Sequence, residues 1–449
     1  MAAGDRDRLV LLPEAASAPA RVSLSRAFVV VAPAMAAANA LNYAFNLVMS
    51  RALGPADYGA LGALLAVVLV GTVPGVALQA VVARHTALAD DQEVAELWPG
   101  VLAVVAAVGT ALGLLALVAS PALRAFLHLE SLGPCLWLAA ALLPLPLLSA
   151  VQGILQGREW FGALAAVLLA YAAARLAIGV GLVEAGLGIE GALAGTAIGS
   201  AAAILAAVPR LQGRGGWTAA HRRGTSAPWE QPRSRRWARL GRGWKQRRPG
   251  TAIGGEVARA AAGVLGLLLL ANVDVLLARH YLPAEASGLY AAGAILTKVT
   301  YWAPQFVVTL VFPRLVVAAD QRRLLGRSAA VVAAAGAPLV AGAALAPQLA
   351  ARLSFGAAYL EVGPVLPLFA ALGTGLALVQ LVLFSGMATA DRRMYRLLLG
   401  AVAAEAAVVA LFLHDSVTEI IGATLAVVAV LLAAGLALLV RAPAGSPAR

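Results

Sequence analysis

Arg175, Glu256, Arg259, Lys298 and Glu405 each lie inside a long apolar stretch, and Asp274 lies toward the end of another. A charge at the centre of a membrane helix costs about 2.5–3.5 kcal/mol on insertion scales, so such residues are rare and need a partner, a cavity or a ligand. Their chemistry divides by sign. Arg offers a planar fork for phosphate oxygens and Lys a compact point charge, so Arg175, Arg259 and Lys298 suit an anionic group such as a diphosphate. Glu405 and Asp274 suit a proton or a small cation, H+ or Na+. Asn39, Asn42 and Asn46 recur at three- and four-residue spacing, which places them on one helix face. There their amides can hydrogen-bond a hydroxyl-rich ligand or join neighbouring helices. Glu256 and Arg259, three residues apart, can instead pair with each other, and an arginine near a span end can snorkel.

Other chemistries find little support. A single cysteine, Cys135, permits no internal disulfide. His85, His128, His221, His280 and His414 are scattered, with no pair at metal-ligand spacing, so no metal site is expected. No nucleotide-binding motif or nucleophile triad occurs. A membrane glycosyltransferase or polymerase would normally present carboxylates or histidines on a sizeable outer loop, and the outer connections here are short.

The elements that must position these residues are membrane helices. Of 449 residues 61% are hydrophobic and only 12% charged, against about 25% charged in a soluble domain. Backbone groups in lipid must be satisfied internally, which leaves helices as the spanning element. Twelve are expected, near 27–50, 59–83, 97–120, 133–156, 161–184, 189–209, 252–278, 287–313, 328–346, 362–388, 396–414 and 418–440. With a cytoplasmic N-terminus, 27 Lys and Arg fall on inside segments and only Arg51, Arg124, Arg279 and Arg352 outside. That asymmetry fits the positive-inside rule and an even helix count, with both termini cytoplasmic. Residues 1–25 are polar and the first apolar stretch is long enough to span, so no cleaved leader is expected.

The chain also repeats itself. "RALGPADYGALGALL" from Arg51 and "RHYLPAEASGLYAAGAIL" from Arg279 share an arginine four residues before a proline, Pro55 and Pro283, then an acid, a glycine and an apolar run. Pro74 and Pro304 interrupt those runs, and Arg84 and Arg314 end them. The offset is 228 residues for Arg51/Arg279, 230 for Arg84/Arg314, 231 for Gly191/Gly422 and 233 for Gly153/Gly386. A near-constant offset indicates a duplicated six-helix unit. Two parallel copies are related by an axis along the membrane normal. The expected fold is therefore all-α, with two six-helix lobes. The expected segments are a cytoplasmic tail (1–26), an N-lobe (27–209), a basic cytoplasmic linker (210–250), a C-lobe (251–440) and a second tail (441–449). Pro74 and Pro304, each removing a helix hydrogen bond, are candidate hinges or static kinks. The linker is basic with interspersed tryptophans, suited to anionic lipid on the inner leaflet or simply a flexible connection. The net charge of +12 then reflects topology, and nucleic acid is not an expected partner.

At "RALGPADYGALGALL", at "LQGREWFGAL" (155–164) and at "ANVDVLLARHYLPAEASGLYAAGAILTKVTYWAPQFVVTLVFPRL" the chain resembles the polysaccharide flippase branch of the multidrug/oligosaccharidyl-lipid/polysaccharide exporter superfamily. The likeness covers most of 27–440 and fails over 210–250. It implies export of a lipid-linked oligosaccharide or polysaccharide precursor across a bacterial inner membrane by alternating access, without a cofactor and without enzymatic chemistry. It also implies a cationic central cavity, which Arg175, Arg259 and Lys298 fit. The alternative within the superfamily is a cation-coupled drug exporter, which would favour membrane-embedded acids. Oligomeric state stays open.

Overall fold

The computed structural model describes residues 23–88, 91–213, 263–302, 321–388 and 392–441, and these are helical with no strand among them. The first half holds α1 (Ser23–Gly71), α2 (Val73–Leu88), α3 (Asp91–Phe126), α4 (Gly133–Leu142), α5 (Leu145–Gly157), α6 (Phe161–Leu182) and α7 (Gly188–Gly213). The second half holds α8 (Val273–Tyr281), α9 (Ala284–Trp302), α10 (Gln321–Leu345), α11 (Pro347–Ser354), α12 (Leu366–Ala388), α13 (Arg392–Leu411) and α14 (Val417–Arg441). A short helix over 263–270 precedes α8, and a 3-10 segment, Ala357–Val365, precedes α12.

Nine helices among the described residues are long and apolar enough to cross a membrane. The longest, Val31–Ala87, has 57 residues. Unbroken, it would reach about 85 Å at 1.5 Å per residue, nearly three times a hydrocarbon core of about 30 Å. The chain therefore turns back within it. Gly54 supplies the turn with φ 73°, a conformation that costs glycine nothing, and Pro55 starts the returning arm where its missing N–H is harmless. The 49-residue stretch Phe161–Pro209 folds likewise at Gly186 and Gly188, with φ 93° and 51°. Leu115, Val118, Leu205 and Val430 stay exposed, as side chains facing acyl chains do. The protein is a multi-pass membrane protein.

The halves meet mainly through α1, which packs on α8, α9 and the 3-10 segment. Gly59 lies against Ser287 and Gly288, Gly62 against Ala291, and Gly288 against the Pro55 carbonyl. Any Cβ added at Gly288 would collide with that backbone oxygen, which fixes glycine there. Gly59 and Ser287 are 228 residues apart, and Gly62 and Ala291 are 229. Repeat-equivalent residues therefore touch each other, as they must where a two-fold relation passes between two helices.

The same reciprocity appears in hydrogen bonds. Arg51 Nη2 donates to Leu353 O in the second half (2.8 Å). Its counterpart Arg279 donates from Nε to Leu127 O in the first half (2.9 Å) and from Nη1 to Ala56 O (3.2 Å) and Ser287 Oγ (3.1 Å). Arg124 Nε and Nη2 bind Leu129 O and Glu130 O. Three of the four arginines at the arginine-poor end thus occupy backbone carbonyls at helix ends, which lack intrahelical partners. Their exception to the charge asymmetry has a local structural cause.

Three histidines far apart in sequence gather at this seam. His280 stacks on Phe126 (4.2 Å between centroids) and on His128 (5.3 Å), and its Nδ1 lies 2.8 Å from Phe126 O. Tyr281 then contacts both His280 (4.7 Å) and His414 (4.6 Å). Sequence spacing gave no sign of this, because the residues come from two connections and the last turn of α8, spread over 128–414. Among the described residues no cluster of His, Cys, Asp or Glu has the makings of a metal site.

Candidate functional site

Two polar clusters lie inside the apolar core, one in each half, at positions related by the repeat. The first is built from α1, α6 and α7. Arg175 on α6 donates from Nη1 to Asn42 Oδ1 (3.0 Å) and from Nε to Thr196 Oγ1 (3.2 Å). Its guanidinium carbon sits 4.0 Å from the Phe45 ring centroid, a cation–π contact. Asn46 Nδ2 donates to Asn42 O (2.8 Å), and the fully buried Tyr58 hydroxyl donates to Asn46 Oδ1 (3.4 Å). The small residues of α7 permit this. Gly195 and Gly199 bring its backbone against the α6 backbone around Arg175.

The second cluster is built from α8, α9, α13 and α14. Tyr290 on α9, fully buried, donates to Asp274 Oδ2 on α8 (2.8 Å). Glu405 on α13 is completely buried and lies within electrostatic reach of Asp274 and Tyr290. Thr424 on α14, its hydroxyl bonded to Ile420 O (3.0 Å), stands beside Glu405. Asp274 Oδ1 and both Glu405 oxygens accept no hydrogen bond from the described residues. The buried Asn272 Oδ1 and Gln380 Oε1 are likewise unpartnered.

Two positions of the clusters correspond: Asn46 and Asp274 are 228 residues apart, and Arg175 and Glu405 230. Tyr58 and Tyr290, and Thr196 and Thr424, play similar parts but stand out of the register that pairs Gly59 with Ser287 and Gly191 with Gly422. At the two corresponding positions the second half has a carboxylate where the first has an amide, and a second carboxylate where the first has a guanidinium. Sequence reading singled out Arg175, Asp274, Glu405 and the asparagines because charge and amide groups are conspicuous in apolar helices. It missed Tyr58, Tyr290, Thr196 and Thr424, which are ordinary helix residues in sequence and join the charges only in the fold.

Lys298 on α9 stands between. It is half-buried, makes no hydrogen bond or ion pair with the described residues, and lies within electrostatic reach of Asp274 in its own half and of Arg175 in the other. Of the three asparagines on α1, Asn42 and Asn46 are bound into the Arg175 network, whereas Asn39 is exposed. Pro74 stands just past a break in the helix at Thr72, between α1 and α2. Arg259, Glu256 and Pro304 lie outside the described residues, as does nearly all of 210–250.

Residues 48–222 match the model of a family described as polysaccharide biosynthesis protein. No curated protein matches the sequence. Among solved structures, the lipid II flippase MurJ in an inward closed conformation superposes with a TM-score of 0.69 at 13% identity, over 92% of this chain and 88% of that one. An inward-facing multidrug resistance MATE transporter of the MOP superfamily gives 0.63 at 13% identity, over 90% and 96%. A MOP-superfamily transporter from Pyrococcus furiosus, described by the reverse polarity of its binding pocket, gives 0.52 at 13% identity, over 92% and 96%. The resemblance in the repeated motifs thus holds at the level of the fold. The chain is built like the flippases and multidrug exporters of the MOP superfamily, and its first half matches a polysaccharide-biosynthesis family model.

Proposed function

We propose that the protein is a flippase that moves a lipid-linked oligosaccharide or polysaccharide precursor from the cytoplasmic to the outer leaflet of the bacterial inner membrane. The reading is supported by the fold shared with the lipid II flippase MurJ, by the match of 48–222 to a polysaccharide-biosynthesis family model, and by a cation in each half, Arg175 on α6 and Lys298 on α9. Such cations attract an anionic head group, and a diphosphate offers oxygens to both a point charge and a guanidinium fork. Arg259 would join them, and Asn39 would reach sugar hydroxyls. The halves then rock about the bound head group, in alternating access. The seam of α1 against α9 closes the arginine-poor end, which the charge asymmetry assigns to the outside. This supports a state loaded from the cytoplasmic side.

Asp274 and Glu405 supply the driving ion. Two buried carboxylates, with three oxygens unpartnered among the described residues, repel each other when both are ionised and favour a proton or Na+ between them. Binding there alters how α8, α9, α13 and α14 pack, and α9 carries Lys298. A drug exporter of the same fold could use the same acids. The two cations favour an anionic substrate over a cationic drug.

Depletion of the protein is expected to accumulate lipid-linked glycan in the inner leaflet. Lys298→Gln, at normal membrane levels, is expected to give the same accumulation. Unchanged flipping by Lys298→Gln combined with Arg175→Gln would remove the anionic-substrate reading.

A further inference from the structure

The hairpin of α13 and α14 turns at 412–416, so the start of α13 and the end of α14 lie together at the opposite, arginine-rich end. Between them is a cavity of about 500 Å³ lined by Arg393, Arg396, Leu397, Ala434, Ala437 and Leu438. The two stripes have the same spacing, i, i+3, i+4, so each presents one helix face to the gap. One face brings two exposed arginines to the mouth. The other brings two alanines and a leucine to the floor. Positive-inside topology explains arginines at this end. It does not explain two alanines opposite them, which leave a slot where larger side chains would close the hairpin.

We propose that this slot binds an anionic glycerophospholipid of the surrounding leaflet. Its phosphodiester lies between the Arg393 and Arg396 guanidinium groups, whose forks match phosphate oxygens. One acyl chain follows Ala434, Ala437 and Leu438 into the bilayer. Basic pockets between membrane helices on the cytoplasmic side recognise such head groups. The slot shares no residue with either buried cluster. Its occupant grips the start of the helix that carries Glu405.

The test is native mass spectrometry of the delipidated full chain, titrated with phosphatidylglycerol, phosphatidylcholine or inorganic phosphate. Phosphatidylglycerol should be retained over phosphatidylcholine. Replacing both arginines, Arg393→Gln with Arg396→Gln, should lower that retention about 25-fold, at about 5-fold per basic residue. Ala434→Leu with Ala437→Leu keeps both charges and fills the slot, and it should lower retention comparably. Differences between variants remove any background from binding at 210–250. Should the arginine pair prove too poorly folded to purify, the alanine pair decides alone. Equal retention of the two lipids overturns the proposal. So does unchanged phosphatidylglycerol binding in a variant that elutes as the parent does. Displacement by equimolar inorganic phosphate also overturns it, leaving only a free-anion site.

Discussion

The Arg175 cluster and the Asp274–Glu405 cluster occupy equivalent places in the two halves, yet one is complete and the other is not. Around Arg175, each polar group of the network has a partner: Asn42, Thr196, the Phe45 ring, and Tyr58 through Asn46. Around Glu405 and Asp274, three carboxylate oxygens have none among the described residues. Buried polar groups in folded proteins are nearly all hydrogen-bonded, and an unpaired buried charge is costly. The first half thus carries its own cation, covalently, at the position where the second half presents an acid. The two halves differ in charge at corresponding positions, a guanidinium bonded to its neighbours in one and a buried carboxylate in the other.

The largest effect should follow from removing the acids. Asp274→Asn with Glu405→Gln preserves shape and deletes the charge that attracts a cation. Transport in proteoliposomes is expected to fall about 100-fold, equivalent to roughly 2.7 kcal/mol of barrier. Thermal stability should hold or rise, because an uncompensated buried charge is gone. Normal flux in this variant would make the second cluster structural and end the contrast.

Arg175→Gln should behave in the opposite sense. It loses two charge-assisted hydrogen bonds and the ring contact, so the first half should be destabilised by about 2 kcal/mol, read as a lower melting temperature. Arg175→Lys restores the charge without the fork and should recover only part of that stability. A variant melting like the parent would show that the guanidinium is not what completes its cluster.

Much of this architecture was legible before any coordinates. Long apolar runs mark the helices, and Arg51/Pro55 against Arg279/Pro283 marks the duplication. Charges in apolar helices drew attention to Arg175, Asp274, Lys298 and Glu405, because each is expensive where it stands. Neutral members stayed hidden. Tyr58 and Thr196 look like ordinary helix residues until the fold brings them beside Asn46 and Arg175. The seam was equally invisible. Arg51 and Arg279 count as loop charges in a topology tally, whereas in the fold each binds a carbonyl of the opposite half. His128, His280 and His414 meet only because two chain connections and the last turn of α8 converge at one end. Pairings across more than a hundred residues leave no periodic trace in sequence.

The seam offers a finer test of the asymmetry. Arg279 is buried with three bonds, and Arg51 is exposed with one. Arg279→Gln should therefore loosen the arginine-poor end by about 2 kcal/mol, which speeds hydrogen exchange of residues 127–132 about 30-fold. Arg51→Gln should change exchange near Leu353 by less than about 5-fold, as expected for an exposed contact. Equal effects would mean that the two halves grip each other symmetrically, whatever their interiors do.

The smallest effect, and the sharpest, should come from Asn46→Asp, which writes the acid of the second cluster into the first. The new carboxylate would still accept the Tyr58 hydroxyl. Arg175, bonded to Asn42 one turn away, lies within electrostatic reach of Tyr58, so its cation is already in place to neutralise the added charge. Stability should fall by only about 1 kcal/mol, the worth of the hydrogen bond that Asn46 Nδ2 gives to Asn42 O and a carboxylate cannot. The variant should gain no dependence on Na+ in its melting temperature. If Na+ does stabilise Asn46→Asp beyond the parent, the frame itself binds cations and Arg175 does not satisfy it. The division between the halves would then rest on residue 46 alone.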